Sequence, residues 1–370
     1  MAFWQGALEK LGITMVNSAF WQGKKVYLTG HTGFKGSWLS LWLANMGAIV
    51  KGYALLPPTQ PSLFEVANVA DKIESEIGDI RDLAQISASM VSFNPDIVIH
   101  MAAQPLVRLS YHEPLETYDV NVMGTAKVLE AARSCRNVKA IVSVTTDKCY
   151  ENKEWVWGYR EDEAMGGYDP YSSSKGCAEL VTSAYRRSFM QEEGVGLASA
   201  RAGNVIGGGD WAADRLIPDI LRAFEKEAPV IVRNPASTRP WQHVLEPLAG
   251  YLVLAEHLYN RPDAYAEGWN FGPAENDAKP VDWILNQMVS KWPNASWQLD
   301  NNAHPHEAGY LKLDISKAKS RLHWQPTWHL EQTLSKIITW HKAWLNNDNM
   351  QQACLNEIND YMRDMYNANH

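Results

Sequence analysis

Val26–Thr29 is a short apolar run that ends at Gly30, and the next apolar positions, Trp38, Leu39, Leu41, Trp42, Leu43 and Met46, fall at helical spacing before Gly47. The period change predicts a strand, a glycine-rich turn and a helix. Ala48–Leu55 reads as a second strand, broken by Pro57-Pro58, and Ile97–His100, Ala140–Val144 and Leu197–Ala200 read as further buried strands. Helical stretches lie between them, at Leu115–Arg133 and Ser174–Arg187. Uninterrupted apolar strands alternating with helices predict an α/β fold, a doubly wound parallel sheet.

After Arg201 the texture changes. Gly207-Gly208-Gly209 opens a stretch of short, proline-spaced segments, and ten of the 16 tryptophans lie from Trp211 onward. This predicts a smaller, mixed α/β lobe over 204–243 and 263–370, with a helix near Leu248–Tyr259 returning to the first lobe within 244–262. The first lobe is then 21–203. Ala-Phe-Trp-Gln-Gly occurs at Ala2–Gly6 and again at Ala19–Gly23, so 1–20 is expected to be a duplicated leader outside the fold, with Met15 as an alternative start.

Charge narrows the classes of partner. The 370 residues carry a formal net charge of −8, which disfavours coating nucleic acid or an anionic membrane. No apolar run approaches the ~20 residues of a membrane-spanning helix. The N-terminus has no basic flank before a leucine-rich core, so no secretory signal is expected. Cys135, Cys149, Cys177 and Cys354 are widely spaced, the pattern of reduced thiols in a cytoplasmic protein. The 11 histidines show no metal-ligand spacing, and no metal is expected.

Gly30-His31-Thr32-Gly33-Phe34-Lys35-Gly36 places three glycines directly between a strand and a helix. The first allows a tight turn, the second admits a pyrophosphate to the backbone, and the third lets helix and sheet pack closely. The helix start adds N–H groups and partial positive charge. A phosphate loop of the G-x-x-x-x-G-K type is excluded, because Lys35 and Gly36 stand in the reverse order. The turn therefore predicts a Rossmann-type dinucleotide site in the first lobe. Lys51-Gly52-Tyr53 stands where an acidic residue would select between NAD and NADP, so that choice is open from the residues. Asp79 either contacts adenine at the end of a third strand or caps the helix starting near Arg81.

Tyr171-Ser172-Ser173-Ser174-Lys175 puts Tyr171 and Lys175 on one helical face. A phenol of pKa ~10 serves as a base near neutrality only when a cation stabilises the phenolate. Lys175 and an oxidised nicotinamide both supply positive charge. Thr146, Asp147 and Lys148 follow the strand Ala140–Val144, at the strand end where such sheets bind ligands. Thr146 offers a hydroxyl, and Asp147 with Lys148 offers an acid and a base.

Together with Gly78-Asp79-Ile80, His100-Met101-Ala102-Ala103-Gln104, Asn121 and Arg201-Ala202-Gly203-Asn204-Val205, these motifs resemble the extended short-chain dehydrogenase/reductase superfamily, from about Lys24 to the C-terminal region. Thr146–Asn152, Gly207–Trp211 and Arg239–Val244 resemble more narrowly the nucleotide-sugar 4,6-dehydratases that act on CDP-linked glucose. The resemblance implies NAD, held by Gly30, Thr32, Gly33, Phe34, Lys35, Gly36, Asp79, Ile80, Ala102, Ala103, Gln104, Asn121, Tyr171 and Lys175. It implies conversion of CDP-D-glucose to the 4-keto-6-deoxy sugar, an early step toward dideoxy sugars of bacterial surface polysaccharide.

In that chemistry Tyr171, supported by Thr146 and Lys175, takes the C4 hydroxyl proton, and water is then lost across C5 and C6. Related dehydratases carry Asp-Glu after the Thr, as acid and C5 base; here Asp147-Lys148 stands instead, so Asp147 carries over as the acid and Lys148 is the candidate base. The same resemblance assigns the substrate to Asn204, Trp211, Arg215, Arg239, Trp241, Gln242, His306 and Tyr310, with Glu307 beside them. From Arg201 to Leu245 six Lys+Arg face five Asp+Glu, a local +1 in a chain of −8. Relatives pair through helices corresponding to 115–133 and 174–187, implying a homodimer, with a tetramer open. A nucleotide-sugar 4-epimerase and a non-catalytic NAD-binding regulator are the competing readings.

Overall fold

The computed structural model describes residues 16–300 and 310–368. Six parallel strands follow the chain through the first lobe: β1 (Lys25–Thr29), β2 (Ile49–Ala54), β3 (Glu74–Ile77), β4 (Ile97–His100), β5 (Ala140–Val144) and β6 (Gly196–Arg201). Short strands follow: β7 (Val205–Ile206), β8 (Val230–Val232), β9 (Thr238–Pro240), β10 (Gln242–His243), β11 (Gly268–Asn270), β12 (Ala278–Pro280) and β13 (Trp297–Leu299). The central sheet has the order β11-β6-β5-β4-β1-β2-β3, every pairing parallel. The order reverses between β1 and β4, and ligands of such sheets sit in the crevice at that reversal. β11 contributes only three residues, too short to give a periodicity, and it adds a strand from beyond the expected lobe boundary.

The helices used below are α1 (Ser18–Trp21), α2 (Phe34–Asn45), α3 (Leu83–Phe93), α4 (Thr125–Arg133), α5 (Pro170–Tyr185), α6 (Leu216–Glu225), α7 (Leu245–Asn260), α8 (Val281–Ser290), α9 (Leu330–Leu345) and α10 (Met350–Ala368). α2 is buried on every side from Gly36 to Leu43, as its unbroken apolar composition requires. The sheet covers one side and α10 the other, where Trp42 meets Tyr361 edge-on at 5.7 Å. α10 thus packs on the dinucleotide lobe, although the sequence division placed it in the second lobe. The opposite sheet face is covered by α3 and α4. A separate core joins α6, α8 and α9.

The long helix expected over 115–133 is interrupted. Pro114–Tyr118 is followed by a π-helical turn over Asp119–Gly124 before α4 begins. The widened turn carries Asn121, and such insertions recur at functional sites.

The leader expectation is corrected for its described part; residues 1–15 lie outside the described residues. Val16 and Trp21 are buried, and Asn17 caps α1 through its side chain. The second Ala-Phe-Trp-Gln-Gly copy is thus a packed element, because Trp21 Nε1 donates to buried Glu256 at 2.7 Å and Asn17 N donates to the same oxygen at 2.9 Å. Burial, only partly offset by those two bonds, pushes the Glu256 carboxyl from 4.5 up to about 8. A carboxyl with a raised folded-state pKa contributes stability that is complete below its unfolded value and lost as pH rises through the folded one. Native protein should therefore lose stability between pH 4.5 and about 8. Glu256→Gln should flatten that decline, by on the order of a few degrees in Tm, in thermal melts across the window.

Among the described residues no helix is long and apolar enough to cross a membrane, no group of three or more His, Cys, Asp and Glu could hold a metal, and all four cysteines are free thiols.

Candidate active site

The ends of β1, β4, β5 and β6 converge on one crevice. At the end of β1 Gly30 has φ +80°, and a Cβ there would press to 2.7 Å on Ala102 N, in the segment after β4. A Cβ on Gly36 would fall on the Gly30 carbonyl, so those two glycines are demanded by the protein itself. Gly33 differs. A Cβ there would meet only Gly30 O at 3.4 Å, ordinary contact, and Gly33 is the N-cap of α2. The space beside it, at a helix start with unsatisfied N–H groups, fits a pyrophosphate.

A second feature fits a dinucleotide. Tyr251 of α7 is fully buried, with its hydroxyl lacking a hydrogen-bond partner among the described residues. The Lys35 amine stands 5.7 Å from its ring centroid, and Tyr171 is close enough to raise the Tyr251 phenol beyond the effect of burial. An unpaired buried hydroxyl costs about 1–3 kcal/mol, and a ligand at this spot would relieve it. These residues therefore fit an NAD-type dinucleotide.

Other expected cofactor positions are held by a buried network. Thr32 Oγ1 donates to Leu55 O at 2.8 Å. Asn121 accepts from Gln104 N at 2.9 Å and donates to Gln104 O at 3.1 Å and Ser174 Oγ at 2.9 Å. The π-helical turn, the loop after β4 and α5 are thereby locked together. Phe34 lies against Gly207, and Ile80 is buried against Gly124, while Ala102 and Ala103 are half-buried along the crevice. Asp79 is bound to Arg81, by its backbone N–H at 2.8 Å and its guanidinium at 2.6 Å. Asp79 does not cap the following helix; Asp82 does, accepting from Gln85 N.

Tyr171 is the second residue of α5, whose N-cap is Asp169 and whose first residue is Pro170. Burial pushes the phenol up to about 12; a hydrogen bond to Thr146 and the charge of Arg215 act in the other direction, and Asp147 raises it further. Lys175 follows one helical turn later. Burial lowers its amine to about 8 against the opposing charge of Glu179, and Nζ lies 3.4 Å from Val144 O. Arg215 thus adds its charge at Tyr171, a cation the sequence motif does not contain. Lys35 joins the cluster: burial and the charges of Lys175 and Arg215 lower it to about 7.

Thr146 caps the turn Asp147–Cys149 and donates to Asp147 Oδ1 at 2.9 Å. The buried Asp147 carboxylate also accepts from Asn204 Nδ2 at 3.4 Å. It lies so close to Gly203 that any Cβ there would collide with it, so glycine is obligatory at 203. Lys148 is half-buried on the same turn.

The expected substrate residues separate. Asn204, with φ +48°, stands beside Asp147, and Arg215 pairs with Asp210 at 2.9 Å while its charge reaches Tyr171 and Lys35. Arg239 lies on β9, where Tyr310 forms an isolated bridge to neighbouring Thr238. His306 and Glu307 lie outside the described residues. Three others make contacts within the protein itself. Trp241 is buried in the second core, its Nε1 donating to Lys279 O at 3.0 Å. Trp211 packs edge-on against Trp340 and Trp344 at 5.7 and 5.1 Å. Gln242 Nε2 donates to the carbonyls of Gly203 and Phe271, at 3.1 and 3.0 Å, tying strand ends together, while its buried Oε1 has no hydrogen-bond partner among the described residues. Sequence reasoning missed Tyr251, which carries no motif, and Glu179, although its spacing from Tyr171 and Lys175 on one helical face was available.

The comparisons agree with this geometry. The chain is 62% identical over 354 residues to CDP-glucose 4,6-dehydratase of Salmonella typhimurium, covering 94% of this chain and 99% of the relative. It is 25% identical to dTDP-glucose 4,6-dehydratase of the same organism, covering 87% and 95%. Among solved structures, UDP-glucose 4-epimerase of Thermotoga maritima with UDP-glucose superposes with a TM-score of 0.74 at 21% identity, covering 87% of this chain and 99% of that one. The dTDP-glucose 4,6-dehydratase of Bacillus anthracis in complex with NAD gives 0.72 at 19% identity, covering 89% and 100%. Both share the fold. The family model described as GDP-mannose 4,6 dehydratase matches residues 28–337, from the first strand through the second lobe, and the chain belongs to that family.

Proposed function

We propose that the protein converts CDP-D-glucose to CDP-4-keto-6-deoxy-D-glucose, using NAD that it holds throughout the cycle. The observation that carries this reading is the Thr146-Asp147-Lys148 turn beside Tyr171, in a chain 62% identical to a CDP-glucose 4,6-dehydratase. A simple oxidoreductase or epimerase needs the Tyr171 hydroxyl; a buried acid with a neighbouring amine serves an elimination as well.

NAD, held at the glycine turn, would supply the hydride acceptor for C4 and the hydride donor for C6. Tyr171 takes the C4 hydroxyl proton, with Thr146 at its phenol and the charges of Lys175, Arg215 and a bound nicotinamide favouring phenolate. The C4 ketone so formed acidifies C5. Lys148 is assigned to take the C5 proton, and Asp147 to pass a proton to the C6 hydroxyl as it leaves. Asn204 and Thr146 orient the Asp147 carboxyl for that step. Arg215 and Arg239 are the cations assigned to the substrate diphosphate, Arg presenting a planar fork to phosphate oxygens; His306 and Tyr310 are assigned to the substrate with them.

The active unit is a homodimer paired through the α4 and α5 region, in the cytoplasm, supplying a dideoxy-sugar route. Exposed Leu115, Met123 and Leu180 on those segments support the pairing. The test is a comparison of CDP-, dTDP-, GDP- and UDP-glucose as substrates. The highest kcat/KM is expected with CDP-glucose, and a higher value with another nucleotide would move the assignment to that sugar.

A further inference from the structure

α5 carries a third buried polar residue on the face of Tyr171 and Lys175. Glu179 follows Lys175 by four positions, and its carboxylate is clamped from three sides. Thr145 Oγ1, just past β5, donates to Oε1 at 2.5 Å. Ser199 Oγ on β6 donates to Oε2 at 2.6 Å, and Arg201 Nη2, at the end of β6, donates to the same oxygen at 2.8 Å. Arg201 continues the chain of contacts through Nη1 to the Tyr150 hydroxyl at 2.6 Å, which in turn donates to Asn270 on β11 at 2.8 Å. A Cβ on Gly268 would press on the Arg201 guanidinium at 2.6 Å, so β11 is shaped to admit it.

A buried ion pair of this kind is a poor source of stability, because desolvating two charges offsets most of their attraction. Its location suggests another use. We propose that Glu179 is a positioning residue of the proton-transfer site: it fixes the Thr145-Thr146 strand end against α5 and holds the Lys175 amine in its charged form. The inference rests on the roles proposed above for Tyr171 and Lys175.

The surroundings of both groups support it. Lys175 faces Lys35 from α2, neutral His100 from β4, Cys149 from the turn after β5, and Glu179 from its own helix. Burial favours loss of the ammonium proton, and Glu179 is the strongest opposing group, ahead of Cys149. Glu179 itself faces Arg201 from β6, Arg186 beyond the end of α5 and the Cys149 thiol. Burial alone would raise its carboxyl, yet the Arg201 charge and the three hydrogen bonds outweigh that and hold it below the usual range. It is therefore a fixed negative charge, one helical turn from Lys175.

The test is the titration of Lys175 by NMR in protein carrying ε-carbon-labelled lysine, its signal identified by its loss in Lys175→Met. In Glu179→Gln the midpoint should fall by about one pH unit, a tenfold change in the charged-to-neutral ratio at a fixed pH. Should the lone Arg201 charge prevent that variant from folding, Glu179→Gln/Arg201→Met removes both charges, and the same downward direction is expected. A midpoint unchanged in the folded variant overturns the inference. The alkaline limb of the pH profile for C4 oxidation should move down with the midpoint. A shifted midpoint with an unmoved limb upholds the hold of Glu179 on Lys175 and removes Lys175 from the proposed reaction.

Discussion

Tyr171→Phe should slow the reduction of bound NAD by CDP-D-glucose by about 10²–10⁴-fold, the range for loss of a positioned general base. The phenol is held near 12 by burial and by Asp147, so ionisation is the difficult part of the step. The Thr146 hydrogen bond and Arg215 lower that cost, and the positive nicotinamide adds to them. Phe keeps the ring that fills the crevice and removes only the proton-accepting oxygen. Cofactor affinity should therefore stay nearly unchanged. Stopped-flow absorbance of the reduced nicotinamide follows the step directly. The native rate should rise with pH as phenolate becomes accessible, and the residual rate of the variant should lose that dependence. Unchanged reduction would remove Tyr171 as the C4 base.

Lys148→Ala should separate the two halves of the reaction. C4 oxidation should survive, so reduced cofactor should accumulate to about one equivalent per site, while formation of the 4-keto-6-deoxy product falls by about 10²–10⁴-fold. The separation follows from the turn itself. Asp147 is fixed by Thr146, Asn204 and the bare face of Gly203, and none of those contacts involves the Lys148 side chain. Losing the amine leaves the acid and the Tyr171 pair in place. Rapid-quench analysis of the sugar, run beside the absorbance trace, makes the comparison. Equal loss of both steps would make Lys148 a binding residue.

The parallel sheet, the glycine turn and the Tyr171–Lys175 pair were legible because each rests on local spacing: apolar runs, a strand–glycine–helix junction, an i, i+4 pair. Long-range partners were not. Trp211 and Trp241 sit in motifs that suggested a cleft, yet tertiary packing takes them into aromatic and aliphatic cores. Gln242 binds two carbonyls from segments that follow different strands, which no window of sequence contains. The second Ala-Phe-Trp-Gln-Gly looked redundant as a repeat, because its partner, Glu256, lies 235 residues from Trp21. Arg215 acts on Tyr171 only once α6 brings its N-terminal cap beside α5.

In the proposed cycle one enzyme oxidises C4, eliminates water and returns the same hydrogen to C6. CDP-D-glucose deuterated at C4 tests it most directly, with the product examined by mass spectrometry and NMR. The expected product is lighter by one water, with the deuterium retained at C6 and no net consumption of NAD. An isomeric nucleotide sugar that has lost no water, or a dehydrated product without deuterium at C6, would contradict it.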